Sequence, residues 1–124
     1  MARYFTLEEA NQVLEEIRPL IEMMLEIRAA IIERQPQAWP AVQKAAGNGG
    51  GLAASQLVDE FGRLNKLVHQ VQNKGVLIKD INTGLLDFPT LRDGREVYLC
   101  WRYNEPSIQY WHEIDAGFAG RQPL

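Results

Sequence analysis

The residues able to do chemistry crowd into one stretch, Gly75 to Arg121, in the last third of the chain. It holds the only cysteine, Cys100, and one of the two histidines, His112. The carboxylates Asp80, Asp87 and Glu105 lie there too, with Lys79, Arg102 and Arg121 for positive charge and Trp111 for aromatic surface. Three chemistries are open to such a set. A histidine beside a carboxylate can pass protons, imidazole with carboxylates can hold a metal, and cations near an aromatic ring can seat an anion.

The spacing narrows these. A closed zinc site needs about four ligands, and the Cys-x-x-Cys or His-x-x-x-His pairs that supply them locally are missing. Asp87, Glu105 and His112 remain as the set that a small metal-dependent or acid–base enzyme would use. Cys100, between Leu99 and Trp101, reads as a small buried hydrophobe rather than a nucleophile. No Gly-x-Ser-x-Gly elbow is present, so no residue is named as catalytic. The binding reading places a small polar or anionic ligand against Trp111, held by Arg102 or Arg121, with Lys79, Asp80, Asp87, Glu105 and His112 around it. No cofactor is expected, though the residue set admits a divalent metal. The bland counterpart is a surface ion-pair network worth under about 1 kcal/mol per pair.

Two kinds of element must position these groups. Upstream the apolar period is helical. Thr6-Leu7-Glu8-Glu9 is a capping box, and Leu7, Ala10, Leu14, Ile17, Ile21, Met24 and Ile31 follow a three-four spacing. Val13, Leu20 and Ile27 widen that face beyond a two-helix seam. The spacing predicts a helix from Leu7 to about Arg34, kinked at Pro19, whose ring cannot donate to Glu15. Gln35 to Ala46 and the glycine-rich run 47–51 read as a flexible connection pinned by Trp39; the run lacks the Lys-Ser/Thr ending of a phosphate-binding loop. Leu57, Phe61, Leu64, Val68 and Val71 form a second helical stripe, closed by Gly75.

After Gly75 the period becomes two. Strands are expected at Val76–Ile81, Leu85–Phe88 (stopped by Pro89) and Glu96–Arg102, with turns at Asn82-Thr83-Gly84 and Asp93-Gly94. A fourth strand through Ile108, Tyr110 and Ile114 follows if Tyr103-Asn104 is a two-residue turn. That register puts Val97, Leu99, Trp101, Ile108, Tyr110 and His112 on one face. Tyr98, Cys100, Arg102, Glu105 and Trp111 then lie on the other, so Cys100 and His112 are not expected to share a ligand. Phe118 is expected to anchor the tail on the core and carry Arg121 back towards Asp80 and Asp87.

Composition bounds the partners. Hydrophobic residues make up 46% and charged residues 23%, the proportions of a globular domain, with a formal net charge of −3. There is no basic run for nucleic acid, no apolar run long enough to span a membrane, and no signal-like start. A lone cysteine suits a reducing compartment, so the cytoplasm is the expected location.

The segments GVLIKD, GLLDFP, GREVYLCW, NEPSI, WHE and AGFAGRQP, with the opening FTLEEAN, resemble an uncharacterised prokaryotic family, the domain of unknown function two-two-zero-three. The resemblance covers nearly the whole chain. It draws attention to Lys79, Asp80, Asp87, Cys100, Trp101, Glu105, Trp111, His112, Gly117 and Arg121, and has Asn104 where the family carries glycine. It implies no activity, substrate or cofactor.

The fold expected is α+β and one domain over 1–124: a long antiparallel helical hairpin (6–74) packed on a small antiparallel β-meander of three or four strands with its motif tail (75–124). The function expected is a binding or assembly module, homodimeric through the first helix around Met23, Met24 and Leu25, and partnered with neither nucleic acid nor membrane.

Overall fold

The structure, a computed structural model, describes residues 3–46 and 58–124. The glycine run 47–51 and Leu57 lie outside the described residues. Helix α1 spans Leu7–Arg34, α2 Trp39–Ala45 and α3 Val58–Gln72. Five strands follow: β1 Leu77–Asp80, β2 Leu85–Arg92, β3 Arg95–Arg102, β4 Tyr110–Glu113 and β5 Gln122–Pro123. They form one antiparallel sheet in the order β1-β2-β3-β4-β5. The fold is α+β, with five strands rather than three or four; the fifth is a two-residue strand in the tail.

α1 starts at the expected capping box. Glu9 N–H donates to Thr6 Oγ1, and Thr6 N–H donates to Glu9 Oε1 at 2.8 Å. Ala10, Val13, Leu14, Ile17, Ile21, Met24, Ile27 and Ile31 are its buried face. The helix continues unbroken through Pro19; Pro19 and Glu15 both lie on the exposed face, where water can serve the Glu15 carbonyl that the ring leaves without a donor. Ion pairs mark the relation of α3 to α1, whose apolar faces share one core. Arg34 at the end of α1 meets Glu60 near the start of α3, and Lys74 just past α3 meets Glu16. The two helices therefore run in opposite senses.

The region expected to be a flexible connection is helical over 36–45. Pro36 and Pro40 each occupy a first turn, where the ring suits the backbone and no N–H is needed. Trp39 is buried, and its Nε1 donates to Asn82 Oδ1 at 2.8 Å, alongside Arg28 Nε.

Pro89 does not stop β2. Its carbonyl accepts Phe5 N–H on the side beyond the end of the β1 pairing, so its nitrogen faces an edge where no strand asks for a donor. Asp93 and Gly94 both have positive φ, as a two-residue hairpin turn requires. Leu86, Phe88, Val97, Leu99, Trp101 and Trp111 face the helices and join their core.

Candidate functional site

The second face of the sheet carries the chemistry, and its composition follows from register. The turn at Tyr103-Asn104 is present: Glu105 N–H donates to Arg102 O, and Asn104 has φ +84. The next residues do not pair with β3. Pro106 has no N–H to give, and α1 captures the segment instead. Arg18 donates to the carbonyls of Glu105 and Pro106, Trp101 Nε1 donates to Glu105 O, and Ile108 N–H donates to Asn11 Oδ1. Pairing resumes only at β4, with Tyr98 opposite His112, Leu99 opposite Trp111 and Cys100 opposite Tyr110.

This shift by an odd number of residues reverses the expected faces of β4. Trp111 is buried in the helix-side core with the Arg92 guanidinium over its ring, so it is not a stacking platform for a ligand at the outer face. His112 moves to the face of Cys100, contrary to the expected separation. Asp87 lies opposite Cys100 on β2 and joins them.

Asp87, Cys100 and His112 are all buried, and one ligand-capable atom from each falls within 4.8 Å of the others. It is the one such group found among the described residues. His112 Nδ1 is 2.7 Å from the carbonyl of Glu113, and Nε2 is 2.9 Å from Asp87 Oδ1. A carbonyl only accepts, so Nδ1 carries hydrogen. A proton must then also lie between Nε2 and Oδ1, since two lone pairs would otherwise oppose each other. Burial, then the charge of Asp87, pushes the Cys100 thiol up to about 12, against a smaller opposing pull from Arg121. The sulfur is a protonated, unreactive thiol at neutral pH.

A roof covers the three. Arg121 forks onto Glu105, Nη1 to Oε1 and Nη2 to Oε2 at 3.0 Å each, and its Nη1 lies 4.0 Å from Cys100 Sγ. The guanidinium stacks on Tyr110 and on Phe118, with the carbon centre 4.1 Å from each ring centroid. Burial works against the Arg121 charge, but the hydrogen bond and charge of Glu105 outweigh it and strengthen the hold on its proton. Glu105 Oε1 also accepts Arg102 N–H at 2.7 Å, which ties the roof to the turn. Tyr98 packs edge-on against His112, and Lys79 Nζ lies over the Tyr98 ring, 5.0 Å from its centroid. Burial, then Glu96 and Asp87, raises the Tyr98 phenol above its usual range.

Seven of the eight site residues named from sequence are thus sorted as follows. Asp87 and His112 form the buried centre, Glu105 and Arg121 the roof, and Lys79 and Arg102 the rim, with Arg102 over Phe118; Trp111 faces away. The eighth, Asp80, builds the β1–β2 turn, its carboxylate accepting Asn82 N–H and the Thr83 hydroxyl. Phe118 is exposed and covers Arg102 and Arg121 rather than entering the core. Glu105 is engaged by Arg121, and the metal-capable group contains Cys100 in its place. Tyr110 was missed as a member of the site, because its face depends on the register of β4. Tyr98 lies on the expected face, two residues from Cys100, but was not named among the ligand-binding residues.

An α+β domain with one face of its sheet packed on helices and a roofed polar cluster on the other is the class this architecture defines. The chain belongs to the family described as uncharacterized conserved protein (DUF2203), whose model matches residues 3–124. Searches of curated proteins and of solved structures find no match. Among the described residues, no helix is long and apolar enough to cross a membrane.

Proposed function

We propose that this chain is a binding and assembly module that holds a small charged ligand on the outer sheet face, rather than a catalyst. The observation that carries this is the Arg121–Glu105 fork, stacked between Tyr110 and Phe118 above Asp87, Cys100 and His112. A general base needs a nitrogen open to substrate, and both ring nitrogens of His112 have partners. A nucleophile needs a thiolate, and Cys100 holds its proton. These facts weigh against the reading in which Asp87, Glu105 and His112 run an acid–base reaction, and the engagement of Glu105 by Arg121 weighs against those three as a metal set. They suit a site that retains what it binds. The lone cysteine, kept as a thiol, agrees with a reducing compartment such as the cytoplasm.

Assembly belongs to the helical layer. Met24 is buried in the core, which removes it from the interface expected at Met23, Met24 and Leu25. Met23 is 44% exposed and borders a groove of about 610 Å³ between α1 and α3, with Leu20, Ile27, Ala30 and Leu67 on its walls. We place the homodimer contact there, through the long helical pair. The test of the holder is thermal unfolding against a panel of divalent cations and small anions, with Arg121→Ala beside the wild type. A ligand-dependent rise in Tm that weakens in the variant is expected; no rise with any member of the panel rejects the reading. Light scattering at tens of micromolar tests the assembly, for which a monomer mass is the contrary result.

A further inference from the structure

We propose that Asp87, Cys100 and His112 form a site for a divalent transition metal of borderline softness, Zn²⁺ foremost, in which the ion takes the place of two protons. This deepens the binding reading above and rests on it.

The donors come from three neighbouring strands: Asp87 on β2, Cys100 on β3 and His112 on β4. The sheet fixes their spacing, so the group is held together without a ligand. Carboxylate oxygen, thiolate sulfur and imidazole nitrogen are the donor mix that zinc and cobalt accept, whereas magnesium and calcium select oxygen alone. The buried position keeps competing water away from all three.

His112 supplies the second observation. Its Nδ1–H is tied to the Glu113 carbonyl at 2.7 Å, which turns Nε2 towards Asp87 and the sulfur. That backbone hydrogen bond is the one by which proteins orient a metal-bound imidazole and fix its tautomer. With Nδ1 committed, the Nε2 and Oδ1 lone pairs face each other at 2.9 Å and require a positive charge between them. A proton meets that requirement at this distance, and a zinc ion about 2.0–2.1 Å from each atom would meet it once the two part by a few tenths of an ångström, to the roughly 3.3 Å of a tetrahedral pair.

Charge balance favours the exchange. With the thiol protonated and one proton on the Nε2–Oδ1 line, the three side chains sum to zero. A divalent ion with a thiolate, a carboxylate and a neutral imidazole also sums to zero. One proton leaves from the Nε2–Oδ1 line and the other from Cys100 Sγ, and no electrons change hands. Loading therefore adds no net charge to a buried site, which is the usual obstacle to placing an ion there. Arg121 is compatible with this. Glu105 neutralises it, and its Nη1, 4.0 Å from Sγ, is placed to hydrogen-bond the thiolate. Three protein donors are one short of the tetrahedral four, the donor count of zinc sites that admit an exogenous ligand.

The test uses the full chain, stripped with EDTA and titrated with Co²⁺ under absorption, then with Zn²⁺ under thermal unfolding. The expected result is a thiolate-to-cobalt charge-transfer band that saturates at one ion per chain and is displaced by Zn²⁺. Tm should climb with Zn²⁺ concentration by mass action. Cys100→Ser should abolish the band and weaken Zn²⁺ binding about 100-fold, while Glu105→Gln should keep the band and weaken binding about tenfold. The wild type alone decides the matter if a variant fails to fold: no band at millimolar Co²⁺ overturns the metal site, as does a band that survives in folded Cys100→Ser. Inorganic phosphate in the same thermal series separates the two readings. A phosphate-dependent shift that is lost in Arg121→Ala, without a cobalt band, removes the metal and keeps the holder. No shift with either probe removes both.

Discussion

Asp87 Oδ1 and His112 Nε2 meet at 2.9 Å across the sheet, each side chain only 2% exposed. The pair is local in space and remote in sequence, and it exists because β2 and β4 both flank β3 in one register. Removing one partner of a buried hydrogen-bonded pair leaves the other stranded. Asp87→Ala is expected to cost about 3–5 kcal/mol. Asp87→Asn can still donate to a neutral Nε2, so its cost should be about 1 kcal/mol. Urea unfolding of the metal-free protein measures both, and equal losses would show that the hydrogen bond to His112 is not what the carboxylate contributes.

The segment 105–109 should depend on α1 for its place. Ile108 N–H donates to Asn11 Oδ1 at 3.0 Å, and Ile108 is buried. Asn11→Ala leaves that amide without a partner and should destabilise by about 1–3 kcal/mol. It should also raise hydrogen exchange at Ile108 more than at Leu99, in the middle of β3. Uniform acceleration across the sheet would contradict a local role.

That segment also marks the boundary of what the sequence made legible. The capping box, the helix-length apolar stripe and the Asp93-Gly94 turn are encoded within a few neighbouring residues, and each appears where its pattern lies. The turn at Tyr103-Asn104 was equally local and equally readable. The pairing beyond it was not, because Arg18 and Asn11 on a distant helix decide where Pro106 to Ile108 sit. An odd shift then carried His112 to Cys100 and Trp111 to the core, so the site residues were largely named while their grouping was reversed. Pro89 failed as a stop signal for a similar reason: whether a strand needs a donor depends on its neighbour.

Gly84 should be the least replaceable of the turn glycines. It has φ +67, and a Cβ there would lie 2.8 Å from Tyr103 Cβ and 3.2 Å from Ile21 Cγ2. Tyr103 also donates its backbone N–H to Gly84 O, so neither side can retreat without breaking the turn. Gly94 has a similar φ of +76 but no atom within 4 Å of an added Cβ. Gly94→Ala is therefore expected to cost about 1 kcal/mol from backbone strain alone, and Gly84→Ala about 2–3 kcal/mol. Thermal or urea unfolding of the two variants provides the comparison, and the reverse order would mean that the close approach to α1 and Tyr103 relaxes at little cost.

Cys100 should give the metal-free protein an alkaline instability of identifiable origin. Burial, followed by the charge of Asp87, raises its thiol from 9.0 to about 12 in the folded state. Below pH 9.0 the thiol is protonated whether the chain is folded or not, and its contribution to stability is fully present. Between there and about pH 12 the unfolded chain releases the proton while the folded chain keeps it. The unfolded state then binds fewer protons, so stability falls as pH rises, with a limiting slope of about 1.4 kcal/mol per pH unit from this group. The raised Tyr98 phenol acts in the same direction at higher pH, so the wild-type curve alone does not isolate the sulfur. Cys100→Ala does, because it leaves Tyr98 in place. Urea unfolding in EDTA from pH 8 upward should show the difference between variant and wild type shifting steadily in the variant's favour above about pH 9. A constant difference across that range would mean that the thiol ionises as readily in the folded chain as in the unfolded one, and that the roof of Arg121 and Tyr110 does not keep water from it.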